Sequence, residues 1–247
     1  MALAAPCGAL SPVQARFFQP KPFEEFYDLE ADPDEVNNIA DEPDEGAAVL
    51  SAMRRALDDH LLAINDNGFI PKGCALEGYL ASRQPGRYPL GQVIAVAERA
   101  ASGREGEVPD LVRDLGSDNE VIRYWAATGL LIRASDAASA VGAMLDALEA
   151  ESTPQVRVVL TEGLAHVGHT DLGVAELASL LSDDQPEMVR LQALNALTWL
   201  DDPSPAMPMV ERLVDDRGYL GRAATYLARV QDETFDPSAS LLPPWNG

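Results

Sequence analysis

From residue 107 to residue 231, apolar positions recur at spacings of three and four, which is the periodicity of amphipathic helices. An arginine recurs in this region every 32 to 34 residues, and a glycine or alanine follows it by six positions. The four arginines are Arg123, Arg157, Arg190 and Arg222. A repeat of this length is typical of stacked helix–turn–helix units. The pattern therefore predicts a mainly α fold, an α-solenoid of helical pairs.

Each predicted second helix follows a short segment that is rich in turn-forming residues. The four segments are 116–119, 151–154, 182–186 and 215–218. Their Ser, Asp and Asn residues favour helix N-caps, and proline fits the first turn of a helix. The small residue six positions after each arginine is expected to let neighbouring helices approach closely. This packing role explains Gly129 and Gly163, although glycine costs a helix about 1 kcal/mol.

The spacing also predicts where the units begin and end. The predicted repeats are 107–134, 137–168, 171–200 and 205–231. Residues 72–106 are interpreted as a linker and a capping helix (89–101), because terminal repeats are usually atypical. Residues 232–247 contain three prolines and are predicted to be an irregular tail.

Residues 1–71 follow a different pattern. The segment 23–29 alternates weakly between apolar and polar residues and predicts a strand, whereas the apolar spacing in 46–64 predicts an amphipathic helix. A lone strand leaves its backbone groups unpaired, and the sequence offers no second strand. We therefore expect the strand to require a partner from outside the chain.

Two segments, DNEVIRYWAATGLL (118–131) and DQPEMVRLQALNAL (184–197), resemble the HEAT repeat. In that family, the arginine and the turn aspartate of neighbouring repeats form a ladder of ion pairs. The resemblance implies that the four arginines pair with Asp118, Asp184 and Asp216. The turn of the second repeat has Glu151 and Ser152 where the family has an aspartate, which puts that pair in doubt. A partner-binding surface is the other role open to the arginines.

Residues 20–43 (PKPFEEFYDLEADPDEVNNIADEP) and 65–71 (NDNGFIP) resemble the C-terminal end of the formylglycine-dependent sulfatases. In that family a strand, a D-P-x-E-x-x-N-L-A turn and a final helix close a small subdomain. The resemblance implies that residues 1–71 are a short α/β segment of this type, and that the helical repeats are an extension behind it.

The residues that hydrolyse sulfate esters in that family have no counterpart here. The family's nucleophile lies in a C/S-x-P-x-R motif, whereas Cys7 is followed by GALS and Cys74 by ALEG. The metal-binding aspartates and the catalytic Lys and His motifs are also missing. We therefore expect no catalytic, cofactor-binding or metal-binding residue, and an inactive chain. Calcium and formylglycine would belong to the missing catalytic domain.

Three sets of side chains have the chemistry of metal ligands but poor spacing. They are Glu162, His166 and His169; Asp58, Asp59 and His60; and Asp32, Asp34 and Asp41. In the first set, Gly168 is expected to end the helix before His169. The second set occupies adjacent helical positions that diverge by about 100°, and the third lacks the spacing of an EF-hand. Each set is therefore predicted to be ordinary surface or helix-end residues.

Forty acidic residues against 18 basic ones give the chain a formal net charge of −22. This charge argues against nucleic acid and anionic membranes as partners and favours cationic ones. No segment approaches the roughly 20 apolar residues of a membrane span, and the start does not resemble a signal peptide, so a cytoplasmic location is the default expectation. The widely spaced Cys7 and Cys74 are predicted to be free thiols.

Two functions are compatible with these patterns. The chain is expected to be the truncated, non-catalytic C-terminal portion of a sulfatase-like protein, whose repeats contact substrate, a protein partner or the missing catalytic domain. The alternative is a free-standing HEAT-repeat scaffold that binds a protein along its concave face. Residues 17–71 discriminate between the two, because an adaptor has no need of an orphan strand.

Overall fold

The computed structural model describes residues 10–19, 21–40 and 45–236. The chain divides into two compact units, Met1–Ile64 and Asn65–Gly247. Every regular element in the described ranges is helical, which confirms the predicted helical fold, and none of these helices is long and apolar enough to cross a membrane. Most of the predicted irregular tail, from residue 237 onward, lies outside the described ranges.

The first unit is built around one long helix. A short helix, α1 (Pro12–Ala15), is capped by Ser11, and α2 spans Glu45–Ile64, where the sequence predicts a helix. Among the residues described in this unit, only Leu50 is buried. The described part of this unit therefore has almost no core of its own.

Residues 23–29 do not form the strand that the sequence predicts. The segment is extended, but the side chain of Asn38 bridges it: the amide of Phe26 donates to Asn38 Oδ1 (2.9 Å), and Asn38 Nδ2 donates to the carbonyl of Glu24 (3.0 Å). The carbonyl of Phe26 accepts from the amide of Ile39 at 2.8 Å. Because a side-chain amide takes the place of a neighbouring backbone, these polar groups are satisfied locally and no ladder forms.

The second unit begins with a loop and a one-turn helix, α3 (Tyr79–Ser82), before α4 (Leu90–Ser102). Helices in pairs follow α4. The pairs are α5 (Val108–Asp114) with α6 (Glu120–Arg133), α7 (Val141–Ala150) with α8 (Pro154–His166), α9 (Thr170–Ser179) with α10 (Glu187–Thr198), and α11 (Met207–Glu211) with α12 (Tyr219–Gln231). Short 3-10 turns lead into α5, α7 and α11.

The helices of the second unit stack in two layers. Consecutive even-numbered helices contact one another from α4 through to α12, and each odd-numbered helix from α5 to α11 packs on the even-numbered helix that follows it. We call α4, α6, α8, α10 and α12 the even layer, and α5, α7, α9 and α11 the odd layer. Each pair therefore buries its apolar face against its neighbours, as expected for a repeat array.

The repeat positions picked out in the sequence form the core between these layers. The leucines seven residues after the first three arginines, Leu130, Leu164 and Leu197, are almost fully buried. Burial of each such leucine contributes about 2 kcal/mol to folding. Gly129 lies where α6 crosses α4, and a Cβ atom there would stand 2.9 Å from the Cα of Ala100 and from both Cδ atoms of Leu111.

A buried arginine ties α6 to the end of α4. The side chain of Arg133 is fully buried and donates to the carbonyls of Arg99 (2.8 Å), Ala100 (3.2 Å) and Arg104 (2.8 Å). The last carbonyls of a helix have no partner within it, so the guanidinium of Arg133 supplies donors that α4 lacks. Burial lowers the pKa of Arg133, and Glu107 at 3.3 Å opposes that shift.

The repeat arginines bind the turns of the array. Arg123 makes two hydrogen bonds to the Glu151 carboxylate in the next turn (2.7 and 2.9 Å) and donates to the Ser117 carbonyl of its own turn (2.8 Å). Burial raises the pKa of Glu151, but hydrogen bonds from Arg123 and Thr153 outweigh burial and leave that pKa below its ordinary value. This ion pair therefore joins the first repeat to the second.

The other arginines find partners of different kinds. Arg157 donates to Glu176 in α9 (2.5 Å), and Arg190 lies 3.3 Å from Asp183 and 3.9 Å from Asp216. Arg222 donates to the carbonyl of Gly218 and stacks on the ring of Tyr219.

Two of the expected partners are not used. Among the described residues, neither Asp118 nor Asp184 forms an ion pair with a repeat arginine. Arg123 pairs with a residue in the turn of the following repeat. Asp118 lies in the turn of the first repeat, and no earlier repeat supplies an arginine to pair with it. The guanidinium of Arg157, the repeat arginine before the turn that contains Asp184, is bound by Glu176 instead.

Gly129→Ala tests the close contact between α4 and α6. The added methyl group would overlap the Ala100 backbone and Leu111, so we expect a loss of about 1–3 kcal/mol in the free energy of unfolding, measured by urea titration. Gly142→Ala is the matched control, because nothing lies within 4 Å of a Cβ at that helical position. An equal loss in both variants would contradict the packing role of Gly129.

Arg123→Met tests the ion pair with Glu151. The substitution leaves a buried carboxylate without a counter-charge, and we expect a loss of about 3 kcal/mol at neutral pH. Because a carboxyl with a lowered pKa stabilises the fold only while ionised, the difference from the unsubstituted chain should shrink below about pH 4. Arg113→Met removes the ion pairs of an exposed arginine with Asp110 and Asp114, and it should cost no more than about 1 kcal/mol because Asp114 keeps its ion pair with Arg99.

Candidate functional site

A groove lies on the surface of the even layer, across α6, α8 and α10. We call it the even-layer groove, and it is lined by Tyr124, Gln155, Val158, Val159, Glu162, Gln192, Asn195, Ala196 and Trp199. On α8 and on α10 these positions are spaced by three, four and seven, which places them on one face of each helix. The cavity measures about 180 Å³. That is below the roughly 300–1,000 Å³ of typical small-molecule pockets.

Trp199 forms one wall of the groove. It follows the last residue of α10, its amide donates to the carbonyl of Ala196 (3.0 Å), and its side chain projects with 65% of the residue exposed. Tryptophan is a large apolar residue that contributes strongly when a partner covers it. An exposed tryptophan beside a cavity therefore points to binding rather than to folding.

Glu162 is the only charged residue among those that line the even-layer groove. Burial raises the pKa of its carboxyl, and within the described ranges no hydrogen bond or ion pair compensates that burial. Burial also raises the pKa of Tyr124, and the nearby Glu162 charge adds to that shift. The groove thus holds a partly desolvated carboxylate without a counter-ion among the described residues.

A loop of the second unit lies along one side of the groove. We call residues 67–77 the strap. Its backbone forms successive turns, with amide–carbonyl hydrogen bonds from Ile70 to Asn67, from Cys74 to Pro71 and from Glu77 to Cys74. Its apolar residues Ile70, Cys74 and Leu76 are buried.

Side chains of the even layer hold the strap by its backbone. Trp125 Nε1 donates to the carbonyl of Phe69 (2.9 Å), and the carbonyl of Lys72 accepts from Gln192 Nε2 (3.2 Å) and Gln155 Nε2 (3.5 Å). At Gly73, which has a positive φ of 78°, a Cβ would lie 3.1 Å from the Gln155 amide. Gln155 and Gln192 also line the groove, so two residues of the groove hold the strap.

The three sets of side chains that have the chemistry of metal ligands do not form a metal site in the described part of the chain. Among the described residues, no group of three or more His, Cys, Asp or Glu side chains is placed to hold a metal ion. The α8 helix ends at His166, and Gly168 at φ 103° turns the chain so that the His169 amide donates back to the Leu164 carbonyl (2.9 Å). This glycine C-cap separates the two histidines.

The other two sets also have structural surroundings. The carboxylate of Asp32 accepts hydrogen bonds from the amides of Val36 (3.1 Å) and Asn37 (2.7 Å), so it holds a turn. Asp41 lies outside the described residues. Asp59 and His60 are exposed on α2.

The two cysteines differ in what the structure describes. Cys74 has a free thiol in the strap, and burial raises its pKa. Cys7 lies outside the described residues.

Sequence reasoning considered Glu162 only as a metal ligand and missed the rest of the groove. One signal was present: the residue five positions after the first three repeat arginines is polar in each case, as Thr128, Glu162 or Asn195. Residues at one repeat position occupy equivalent places in a stack, so the three form a polar row across the even layer. The position of the strap depends on contacts up to 120 residues apart along the chain and has no local signal.

Residues 141–228, from the start of α7 into α12, match the family model for HEAT repeats. No curated protein and no solved structure matches the chain. The comparisons give no support to the sulfatase-type subdomain predicted from residues 20–71. Glu162 and Trp199 therefore lie within the part of the chain that resembles HEAT repeats, which are helical modules for protein interaction.

Proposed function

We propose that this chain is a helical-repeat scaffold that binds a protein partner in the even-layer groove. The observation that carries the proposal is the half-buried, unpaired carboxylate of Glu162 beside the exposed side chain of Trp199. The match of residues 141–228 to HEAT repeats supports a role in protein interaction. The strap supports it too, because this surface already holds an irregular peptide segment by its carbonyl groups.

The sulfatase-like origin of residues 1–71 stays a prediction that the comparisons do not support. Two residues of the D-P-x-E-x-x-N-L-A motif have structural roles, since Asp32 closes a turn and Asn38 bridges the extended segment. Such roles are independent of ancestry. The contact with a missing catalytic domain, which that origin implied, likewise stays a prediction.

Glu162→Gln tests whether the Glu162 carboxylate in the groove lowers the free energy of unfolding. Burial raises the pKa of Glu162 in the folded chain, so the ionised carboxylate destabilises the fold at pH values above that pKa. We expect the free energy of unfolding of the glutamine variant at pH 7 to exceed that of the unsubstituted chain by about 1 kcal/mol. The gain should disappear at about pH 4, where the carboxyl of the unsubstituted chain is protonated. Chemical denaturation of the variant and of the unsubstituted chain at both pH values measures this difference in the free energy of unfolding.

Glu149→Gln is the control, because Glu149 is an exposed residue of α7. It should change stability by no more than about 0.5 kcal/mol at either pH. A destabilised Glu162→Gln variant at pH 7 would mean that the carboxylate has a partner within the fold.

Photo-crosslinking tests the groove as the binding surface. The full chain is expressed in cells of the source organism with p-benzoylphenylalanine at position 199, where it keeps a large aromatic side chain in the place of Trp199, or at position 149. We expect a covalent adduct with one protein from position 199 and none from position 149. With that protein purified, Trp199→Ala should weaken binding at least tenfold, that is, by about 1.4 kcal/mol or more.

Tyr219→Ala supplies the matched aromatic control, since Tyr219 is 71% exposed but lies outside the groove. It should leave the affinity unchanged. Equal crosslinking from positions 149 and 199, or no adduct at either, would overturn the proposed function.

A further inference from the structure

The dimensions of the even-layer groove suit one side chain of a partner. The cavity of about 180 Å³ is smaller than the roughly 300–1,000 Å³ of typical small-molecule pockets but larger than the space that one water molecule needs. That space accommodates a long side chain but not a cofactor. What enters it is decided by the groups that line it.

The electrostatics of the lining favour a positive charge. Glu162 provides a negative charge in a partly desolvated place, where a single counter-ion is worth more than in water. Tyr124 stands on the α6 side of the groove and Trp199 on the α10 side, and the faces of such rings attract cations within about 6 Å. An acidic or apolar side chain would leave the carboxylate repelled or unpaired.

The polar groups around the cavity suit the backbone of an extended segment. Gln155 and Gln192 donate to the Lys72 carbonyl of the strap, which shows how amides of this surface hold a peptide. Asn195, one turn further along α10, makes no hydrogen bond within the described ranges and faces the same cavity. Its amide is therefore available for a carbonyl of a second segment.

The charge of the whole chain acts in the same direction. A net charge of −22 attracts cationic partners over distances longer than any single contact and repels acidic ones. This attraction alone is diffuse, whereas Glu162 lies at one defined point in the even-layer groove.

We propose that the even-layer groove receives a lysine or arginine side chain from an extended, basic segment of a partner protein, with Glu162 as its counter-ion between Tyr124 and Trp199. The inference rests on the proposed function, since it names the chemical class of the partner that the groove binds. The guanidinium or ammonium group would supply the positive charge that Glu162 lacks within the described fold.

A displayed library of random peptides, selected on the full chain, tests this inference. Selection at about 0.15 M salt limits the diffuse attraction of the net charge. We expect enriched peptides that contain lysine or arginine. Replacing that residue by glutamine should weaken binding at least about tenfold, and so should Glu162→Gln or Trp199→Ala in the chain. The control Glu149→Gln should bind within about twofold of the unsubstituted chain.

The outcomes separate the two proposals. Enriched peptides without a basic residue that still depend on Trp199 would overturn the basic partner class but leave the scaffold function standing. Basic peptides that bind the Glu162→Gln and Glu149→Gln variants equally well would indicate diffuse attraction and would overturn the inference. If no enriched peptide depended on Trp199 or Glu162, both proposals would fall.

Discussion

The second unit depends on the close packing of consecutive even-layer helices. No helical pair can bury its apolar stripe alone, so each relies on the next pair, and small residues at the crossings allow the contact. Gly129 is the clearest case, because the space that a side chain would need is already filled by Ala100 and Leu111. This stacking aligns one face of α6, α8 and α10, and the alignment creates both the seat of the strap and the groove beside it.

The stack also restricts which positions can carry a charged side chain. A charge that is removed from water requires a partner, and two of the most buried charged side chains of the array have one. Glu151 is held by Arg123 and by amides of its own turn, and Arg133 satisfies the end of α4. Glu162 is the exception in the groove. Because an unpaired, partly desolvated carboxylate opposes folding, its presence beside Trp199 is better explained by what the surface binds than by what holds it together.

The sequence was informative wherever structure follows from local periodicity. The arginine spacing and the buried Leu130, Leu164 and Leu197 reflect helices that repeat the same contacts, so the helical pairs were predictable. The prediction of a strand at 23–29 was wrong because the side chain of Asn38 supplies the hydrogen bonds that a second strand would otherwise provide.

The groove and the strap were not predicted because they also depend on contacts between distant parts of the chain. Lys72 contacts Gln155 and Gln192 only after the array has folded, and the neighbouring sequence contains no signal of that contact. The predicted partners of the arginines were wrong in part because Arg123 and Arg157 bind the acids that the folded array brings near them, and Arg222 binds a carbonyl and an aromatic ring. For Arg157 that acid is Glu176 in a neighbouring helix rather than an aspartate in a turn.

The most direct measurement is an NMR titration of the Glu162 carboxyl in the full chain labelled with 13C-glutamate, assigned by its loss in Glu162→Gln. An unpaired carboxylate in the even-layer groove should titrate above the ordinary glutamate value of about 4.3. Adding a basic peptide that binds the groove should lower that pKa, because a cation favours the ionised form. A pKa at or below the ordinary value in the free chain would mean that Glu162 is solvated or already paired, and would contradict the account.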